Sequence, residues 1–183
     1  MSSARAVFLD RDGTIIEDPG YLRLPEQVRL LPNAAAAIGR LNAAGLLAIV
    51  VTNQSAIARG LASEADYLAT AHRLGALLEE RGARLDAHFH CPHHPAFGGS
   101  CDCRKPGPLL YRRAAERFGI DLAASWWVGD RLRDVEAASV LGGSGILLAA
   151  PGSVDALDRK KEFRVVPDLA AAVEVILHYL PRP

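Results

Sequence analysis

Short apolar runs alternate along the chain with longer segments whose apolar residues recur every three or four positions. Runs that are apolar throughout are typical of parallel strands, because helices cover both faces of a parallel sheet. The alternation predicts an α/β fold, a three-layer doubly wound parallel sheet. The predicted strands span residues 6–10, 46–52, 85–90, 126–129, 145–148 and 163–166.

The segments between these runs carry helical periodicity. Ala34, Ala37, Ile38 and Leu41 lie at positions i, i+3, i+4 and i+7, and Gly45 supplies a stop. A second helix is predicted to follow Ser63, since Asp66 stands where a capping box needs an acidic or amide side chain. Further helices are predicted over residues 109–118, 135–141 and 168–180.

Length and composition favour one domain over residues 1–183. The chain has no internal repeat or linker, and Lys plus Arg equals Asp plus Glu at 21 each. A net charge of zero and the lack of a basic stripe argue against nucleic acid or an anionic membrane as a partner. The longest near-apolar run, residues 43–51, is far below the roughly 20 residues that span a bilayer. The N-terminal residues do not have the pattern of a signal peptide, so a cytoplasmic location is expected. The chain is also expected to be a monomer.

Polar side chains follow several predicted strands at the point where each strand ends. Asp10 and Asp12 follow the first strand, residues 52–54 end the second, and Asp130 follows the fourth, while Lys105 precedes a helix. In an open parallel sheet these positions meet at one edge, near the point where the strand order reverses. Two carboxylates one residue apart after a buried strand suit metal-assisted attack on phosphorus.

Each of these residues also has a plainer interpretation. Asp10 and Asp12 could begin a polar turn, and Asp130 could be a helix N-cap. Asp134 could lie on a solvated helix face, and Lys105 could be an exposed residue before a proline turn. The convergence of independent segments on one edge favours a site over these separate explanations.

A second group of residues has the spacing of a metal site. Cys91-x-His93 and Cys101-x-Cys103 form a Cys₃His set of the kind that holds tetrahedral zinc in closed structural sites. From the residues alone, His94 could replace His93, and the cysteines could be buried and inert. A Gly- and Pro-rich loop has no helical or strand period that would place them in a core, which favours zinc.

These motifs together resemble the haloacid dehalogenase (HAD) superfamily of phosphohydrolases. Its pattern is DxD, a strand-end Thr or Ser, a Lys and an acidic pair, and the resemblance covers residues 6 to about 150. More narrowly, residues 52–60, 91–95 and 101–106 are similar to the heptose 1,7-bisphosphate 7-phosphatases, which are related to the histidinol phosphatases. The resemblance implies a Rossmann-like HAD fold without a large cap domain, and it favours His93 over His94.

The resemblance also implies roles for the strand-end residues. Asp10 is the expected nucleophile, and Asp12 the expected general acid and base. Thr52 and Lys105 are expected to bind the transferring phosphoryl group. Catalytic Mg²⁺ is expected on Asp10, the backbone carbonyl of Asp12 and Asp130, and Asp134 is expected to anchor a metal-bound water or to orient Lys105. Zn²⁺ is expected to be structural, in the loop over residues 91–103.

The expected substrate is a small phosphorylated sugar, D-glycero-D-manno-heptose 1,7-bisphosphate, from which the 7-phosphate is removed. Histidinol phosphate or another small phosphomonoester is the alternative substrate, and a non-catalytic sugar-phosphate-binding module is an alternative of a different class. Substrate contacts are expected from Asp18, Gly20, Tyr21, Asn53, Gln54, Ser55, Arg59, Arg104 and Arg131. Two of these predictions have a plainer interpretation: residues 18–21 could form an ordinary surface turn, and Arg59 could be a solvated surface charge.

Overall fold

A parallel sheet forms the centre of the protein in the computed structural model, which describes residues 3–149 and 162–180. The sheet confirms the predicted α/β class. Its strands in the described ranges are β1 (Ala6–Leu9), β2 (Leu47–Asn53), β3 (Ala87–Cys91), β4 (Trp126–Gly129), β5 (Ser144–Leu148) and β6 (Arg164–Val166).

Helices cover both faces of this sheet, as the apolar strands require. Helices α1, α3 and α7 contribute to the hydrophobic core on one face, and α4 and α6 to the core on the other. The helices are α1 (Ala34–Ala43), α2 (Ser55–Ala58), α3 (Glu64–Glu79), α4 (Leu109–Phe118), α5 (Leu132–Val135), α6 (Ala137–Leu141) and α7 (Leu169–His178). Short 3-10 helices occupy Pro25–Gln27 and Pro95–Phe97.

Strand β1 shows how the sequence pattern builds the layers. Val7 and Leu9 belong to the core on one face, and Ala6 and Phe8 to the core on the other, as the two-residue period of a strand demands. The Phe8 ring packs 5.0 Å from that of Trp127, measured between ring centroids. A strand with four fully apolar positions is therefore buried on both sides and fixes the sheet centre.

The strand order is β3-β2-β1-β4-β5-β6. The chain moves outward from β1 to β3 and then returns to the other side of β1 with β4. The order therefore reverses between β1 and β4, and a crevice opens there beyond the carboxyl ends of the strands. Asp10 and Asp130 directly follow these two strands and therefore lie at that crevice.

The helix boundaries follow the predicted ones closely where the periodic segments are long. Ser63 caps α3 as expected, since its hydroxyl accepts from Asp66 N at 3.1 Å and its own N donates to the Asp66 carboxylate at 2.7 Å. The single turns α2 and α5 were not predicted, because one turn is too short to show a period.

The segment between β1 and α1 holds one short 3-10 helix and isolated bridges, so it contains no cap-sized insertion. Within the part of the chain that the structure describes there is no large cap, in agreement with the expected fold. That residues 1–183 form a single domain stays a prediction. Among residues 3–149 and 162–180, no helix has both the length and the hydropathy that a membrane span requires.

Candidate active site

A polar cleft of about 140 Å³ lies at the crevice between β1 and β4. The sequence predicts every residue of its lining as a site residue, with the exception of Arg133. The cleft is lined by Asp10, Asp12, Asp18, Gly20, Thr52, Asn53, Ser55, Lys105, Asp130, Arg131, Arg133 and Asp134.

The parallel sheet brings the first carboxylates together. Asp10 N donates to Val128 O at 2.9 Å, which extends the pairing of β1 with β4 by one residue and aligns Asp10 with the start of the Asp130 turn. Gly13 has φ +78°, and a Cβ at this position would lie 2.6 Å from Asp130 Oδ2. The Asp-Gly turn after β1 therefore needs glycine, because the carboxylate of Asp130 fills the space beside it.

Asp10, Asp130 and Asp134 form a cluster in which ligand oxygens lie within 4.8 Å of one another. Oδ1 of Asp130 is buried and has no hydrogen-bond partner among the described residues. Burial, together with the charges of Asp10 and Asp134, raises the pKa of Asp130 to about 6. Closely spaced carboxylate oxygens with an unpaired acceptor fit a hard divalent cation such as Mg²⁺.

Lys105 is the buried cation of the cleft, with 3% of its surface exposed. Its Nζ lies 2.6 Å from Asp10 Oδ1, 2.7 Å from Asp134 Oδ1 and 2.7 Å from Val51 O. Burial opposes the charge, but Asp10 and Asp134 outweigh burial and raise the pKa of Lys105 above its usual value. The ammonium group therefore stays charged, and the Asp134 contact corresponds to the second of the two roles expected for that residue.

Asn53 holds the backbone of Lys105 with its side-chain amide. Its Oδ1 accepts from Lys105 N at 2.9 Å, and its Nδ2 donates to Lys105 O at 3.2 Å. The end of β2 and the loop before α4 are joined by this pair of bonds. The side chain of Asn53 therefore orients Lys105, whereas a contact of Asn53 with substrate stays a prediction.

Asp12 lines the cleft and belongs to a hydrogen-bonded group with Arg11 and Gln54. Arg11 Nε donates to Asp12 Oδ1 and Arg11 Nη2 to Asp12 Oδ2, both at 3.0 Å. Gln54 Nε2 lies 2.9 Å from both Asp12 Oδ2 and Thr52 Oγ1. Burial raises the pKa of Asp12, and the Arg11 charge opposes this shift. Gln54 does not line the cleft, so its predicted substrate contact stays a prediction.

Sequence reasoning did not assign a role to Arg11. The residue is 1% exposed, although an arginine next to two acidic residues would ordinarily be solvated. The only sequence signal is its position two residues beyond a fully buried strand, where a charged side chain needs a partner.

The predicted substrate contacts between residues 18 and 21 differ in how close they lie to the cleft. Asp18 and Gly20 line it, and Asp18 Oδ2 is 3.7 Å from the guanidinium of Arg131. Tyr21 lies outside the lining and is 48% exposed. The predicted contact of Tyr21 with substrate therefore stays a prediction.

Arg59 and Arg104 face the cysteine loop and do not line the cleft. Arg59 Nη2 lies 2.9 Å from His94 Nε2, and its guanidinium lies 5.0 Å from the centre of the Phe97 ring. Arg104 Nη1 donates to His93 O at 3.0 Å. Their substrate contacts also stay predictions, and both residues connect the cysteine loop to the elements around the cleft.

Cys91, His93, Cys101 and Cys103 form the second cluster of potential metal ligands. The sulfur atoms of Cys91 and Cys103 are 3.0 Å apart without a disulfide, and His93 Nδ1 lies 3.2 Å from Cys103 Sγ. His94 is outside this cluster, because its ring nitrogens contact Ala96 N and Arg59. The cluster can bind a metal ion, and its donor set of three sulfurs and one imidazole matches tetrahedral structural sites.

Comparison with known proteins gives consistent matches. The family model described as HAD-hydrolase-like matches residues 102–172. The D-glycero-beta-D-manno-heptose-1,7-bisphosphate 7-phosphatase of Yersinia pestis is 39% identical over 141 residues, which cover 74% of this chain and 75% of the relative. The protein of the same name from Pasteurella multocida is 37% identical over 166 residues, covering 88% and 90%.

A solved structure agrees over almost the whole chain. The crystal structure of D,D-heptose 1,7-bisphosphate phosphatase from B. bronchiseptica, in complex with magnesium and phosphate, has a TM-score of 0.85 and 37% identity. The match covers 96% of this chain and 99% of that chain. By its cleft, its fold and these relatives, the chain belongs to the HAD-like phosphatase family, among the heptose 1,7-bisphosphate 7-phosphatases.

Proposed function

We propose that this chain is a Mg²⁺-dependent phosphomonoesterase that removes the 7-phosphate of D-glycero-D-manno-heptose 1,7-bisphosphate. The observation that carries the proposal is the meeting of Asp10, Lys105, Asp130 and Asp134 around one cleft at the β1/β4 crevice. The names of the relatives support the choice of substrate.

Asp10 is the proposed nucleophile. One of its carboxylate oxygens attacks phosphorus, the bond from phosphorus to the sugar oxygen breaks, and an aspartyl-phosphate forms. Water then attacks the same phosphorus, which releases phosphate and returns the carboxylate of Asp10. The contact with Lys105 orients the carboxylate, because Lys105 Nζ holds Asp10 Oδ1.

Asp12 is the proposed proton carrier in both steps. It donates a proton to the sugar oxygen as this leaves, and it accepts one from the water that attacks the aspartyl-phosphate. Asp12 lines the cleft, and burial raises its pKa, which favours the protonated form that the first step needs.

Thr52 and Lys105 are the proposed phosphoryl-binding residues. Lys105 supplies a positive charge that stays in place through the reaction. Thr52 Oγ1 accepts a hydrogen bond from Gln54 Nε2, so the Thr52 hydroxyl keeps its own proton available for a phosphoryl oxygen. Both groups stabilise negative charge as it spreads over the phosphoryl oxygens in the transition state.

Mg²⁺ is proposed to bind Asp10, Asp130 and the backbone carbonyl of Asp12. When bound, the ion would neutralise the phosphoryl oxygens and reduce the repulsion between the carboxylates. Asp134 is proposed to support the site by holding Lys105, and its Oδ2 also accepts from Arg131 N at 2.9 Å.

The remaining predicted contacts are proposed to recognise the sugar and its second phosphate. No cap over the cleft is present among the described residues, so substrate selection falls to the loops at its rim. Arg131 lines the cleft and is the proposed partner of the distal phosphate. A guanidinium can donate two parallel hydrogen bonds to two oxygens of one phosphate. The other proposed contacts are Asp18, Gly20, Tyr21, Asn53, Gln54, Ser55, Arg59 and Arg104.

Zn²⁺ is the proposed ion of the cysteine cluster, in a structural role. Zinc contributes roughly 10–16 kcal/mol of apparent binding free energy in small peptides, which is enough to order a loop with little apolar content. The loop ends directly before Arg104 and Lys105, so the ion would fix the backbone that carries them. Three unpaired thiols in one cluster also support a reducing compartment, in line with the proposed cytoplasmic location.

A panel of phosphate esters tests the proposal. We expect Mg²⁺-dependent phosphate release from heptose 1,7-bisphosphate to exceed that from histidinol phosphate and fructose bisphosphate in kcat/KM. Equal or better turnover of histidinol phosphate would contradict the substrate assignment. A protein that binds the heptose ester without turnover, and whose binding is unchanged by Asp10→Asn, would show a non-catalytic binding module.

A further inference from the structure

Arg11 is a buried cation that the proposed mechanism does not use. It stands between Asp10 and Asp12 in the chain, is 1% exposed and does not line the cleft. Burying a guanidinium is costly unless its donors are satisfied, so the groups that satisfy it indicate what it does.

The donors of Arg11 converge on the carboxylate of Asp12. Arg11 Nε donates to Asp12 Oδ1, while the two hydrogens of Nη2 are used by Asp12 Oδ2 and by Gln54 Oε1, the latter at 3.0 Å. Asp12 Oδ2 also accepts from Gln54 Nε2. Among the described residues, two donors hydrogen-bond to Oδ2, whereas Oδ1 accepts one hydrogen bond, from Arg11 Nε. Arg11 Nη2 also lies 3.0 Å from Oδ1, but its two hydrogens are already used, so one lone pair of Oδ1 is left.

Helix α3 fixes Arg11 from the side opposite Asp12. Arg11 Nη1 donates to Thr70 Oγ1 at 3.3 Å, and the Thr70 hydroxyl donates to Tyr67 O at 2.8 Å. The guanidinium also lies 5.5 Å from the centre of the Tyr67 ring. Arg11 is therefore held between a rigid helix and the carboxylate, and its own rotation is restricted.

We propose that Arg11 is a positioning residue that locks the Asp12 carboxylate so that Oδ1 alone is free to exchange a proton with the substrate. The side chain of Asp12 is 22% exposed and lines the cleft, so a substrate in the cleft can reach its carboxylate. This inference rests on the proposed function, since it names the atom through which Asp12 acts and the residue that selects it.

Two variants separate positioning from support of the fold. Arg11→Lys keeps the positive charge but loses the planar pair of donors that grips both oxygens. Thr70→Val keeps Arg11 and every charge, and it removes only the hydroxyl that holds Arg11 from behind. Arg40→Lys on α1 is the matched control, because Arg40 is exposed and pairs with Glu174 far from the cleft. Thermal unfolding verifies that each variant is folded.

The readout is the rate of the first turnover with two esters, measured by rapid quench. The sugar phosphate needs a proton donor for its leaving alkoxide, whereas p-nitrophenyl phosphate releases a stable phenolate without one. We expect Arg11→Lys to slow the first turnover of heptose bisphosphate about 10²-fold. The same variant should release p-nitrophenol in a burst near the wild-type rate, followed by slow steady turnover as Asp12 fails to activate water. Thr70→Val should show the same selectivity at a smaller size.

The opposite results would overturn the inference. Equal losses for both esters would mean that Arg11 only supports the fold, and rates within twofold of the Arg40→Lys control would mean that it does nothing for Asp12. If Arg11→Lys does not fold, the selectivity of Thr70→Val decides in the same way. An inactive wild-type protein would instead remove the proposed function, and the inference with it.

Discussion

Lys105 Nζ and Asp10 Oδ1 lie 2.6 Å apart although 95 residues separate them in the chain. The same ammonium group also forms an ion pair with Asp134, whose Oδ1 lies 2.7 Å from Lys105 Nζ. The three residues come from different segments and meet only because the sheet reverses its strand order between β1 and β4. This buried triad ties the nucleophile to the cation that is proposed to bind the phosphoryl group.

Replacing Lys105 should damage catalysis more than binding. In Lys105→Met, kcat should fall by about 10²-fold or more, because the positive charge that stabilises the negative transition state is lost. The change also leaves Asp10 and Asp134 without a buried partner and should destabilise the fold by about 3 kcal/mol. Steady-state kinetics and urea unfolding measure the two effects. Arg112→Met, an exposed change on α4, serves as the control, and an unchanged kcat in Lys105→Met would contradict the assigned role.

The side chain of Asn53 should affect both stability and kcat, because it holds the backbone of Lys105. Asn53→Ala removes both bonds to the backbone of Lys105 and should cost about 1–2 kcal/mol of stability. Because the lysine then loses its fixed position, kcat should also fall, by about tenfold. Asn53→Asp retains the acceptor for Lys105 N and loses the donor to Lys105 O, so its effect on kcat should be intermediate. An Asp variant that is worse than the Ala variant would show that charge beside Lys105, and not the bond geometry, dominates.

Chelation should distinguish the roles of the two proposed metal ions, because removal of zinc should affect stability and removal of Mg²⁺ should affect activity. A strong zinc chelator should lower Tm as the cysteine loop loses its ion, and added Mg²⁺ should not restore the Tm. Mild removal of Mg²⁺ should abolish activity and leave Tm nearly unchanged. Cys103→Ser should reproduce the loss of zinc, measured by metal analysis of the purified protein.

His94→Ala provides the matched control for zinc content. Its ring lies next to the cluster but contacts Arg59, so we expect one zinc per chain in this variant. Loss of zinc from His94→Ala, with retention in His93→Ala, would show that the neighbouring histidine is the ligand.

The half-buried His88 should make stability depend on pH. Burial lowers the pKa of His88 from 6.5 to about 4 in the folded state. The unfolded chain therefore binds more protons at this position between these values, and stability should fall as pH drops from 6.5 towards 4. The contribution is at most about 1.4 kcal/mol per pH unit.

His88→Asn should reduce that pH dependence. Urea unfolding at pH 7 and pH 5 gives the loss of stability for the wild type and the variant. We expect the smaller loss in His88→Asn, whereas His72→Asn, an exposed change on α3, should match the wild type. Equal losses in all three proteins would show that His88 is not the group responsible.

The sheet and the long helices were predictable because their periods are visible in the sequence. Strand β4 has the predicted bounds, and α3 begins at the predicted cap, since local pattern decides both. The carboxylates and Lys105 were predictable as a group because parallel strands end at one edge. The single turns α2 and α5 were not, because one turn carries no period.

Side-chain partners were the part that sequence could not supply. Arg11 donates hydrogen bonds to Gln54 and Thr70, which are 43 and 59 residues away in the chain. No local sequence pattern marks partners at such distances. Asn53 was expected to contact substrate, and the hydrogen bonds of its side chain to the backbone of Lys105 were not foreseen. The choice between His93 and His94 depended on the fold of one loop, which places His93 at the cysteines and His94 at Arg59.

Trapping the phosphorylated enzyme tests whether Asp10 is the nucleophile. Heptose bisphosphate labelled in its 7-phosphate is mixed with the protein and Mg²⁺, quenched in acid within one turnover, and the peptides are mapped by mass spectrometry. We expect transient label on the carboxylate of Asp10, which disappears as free phosphate forms and is absent in Asp10→Asn. Full turnover without labelled protein, or label on another residue, would show that Asp10 is not the nucleophile.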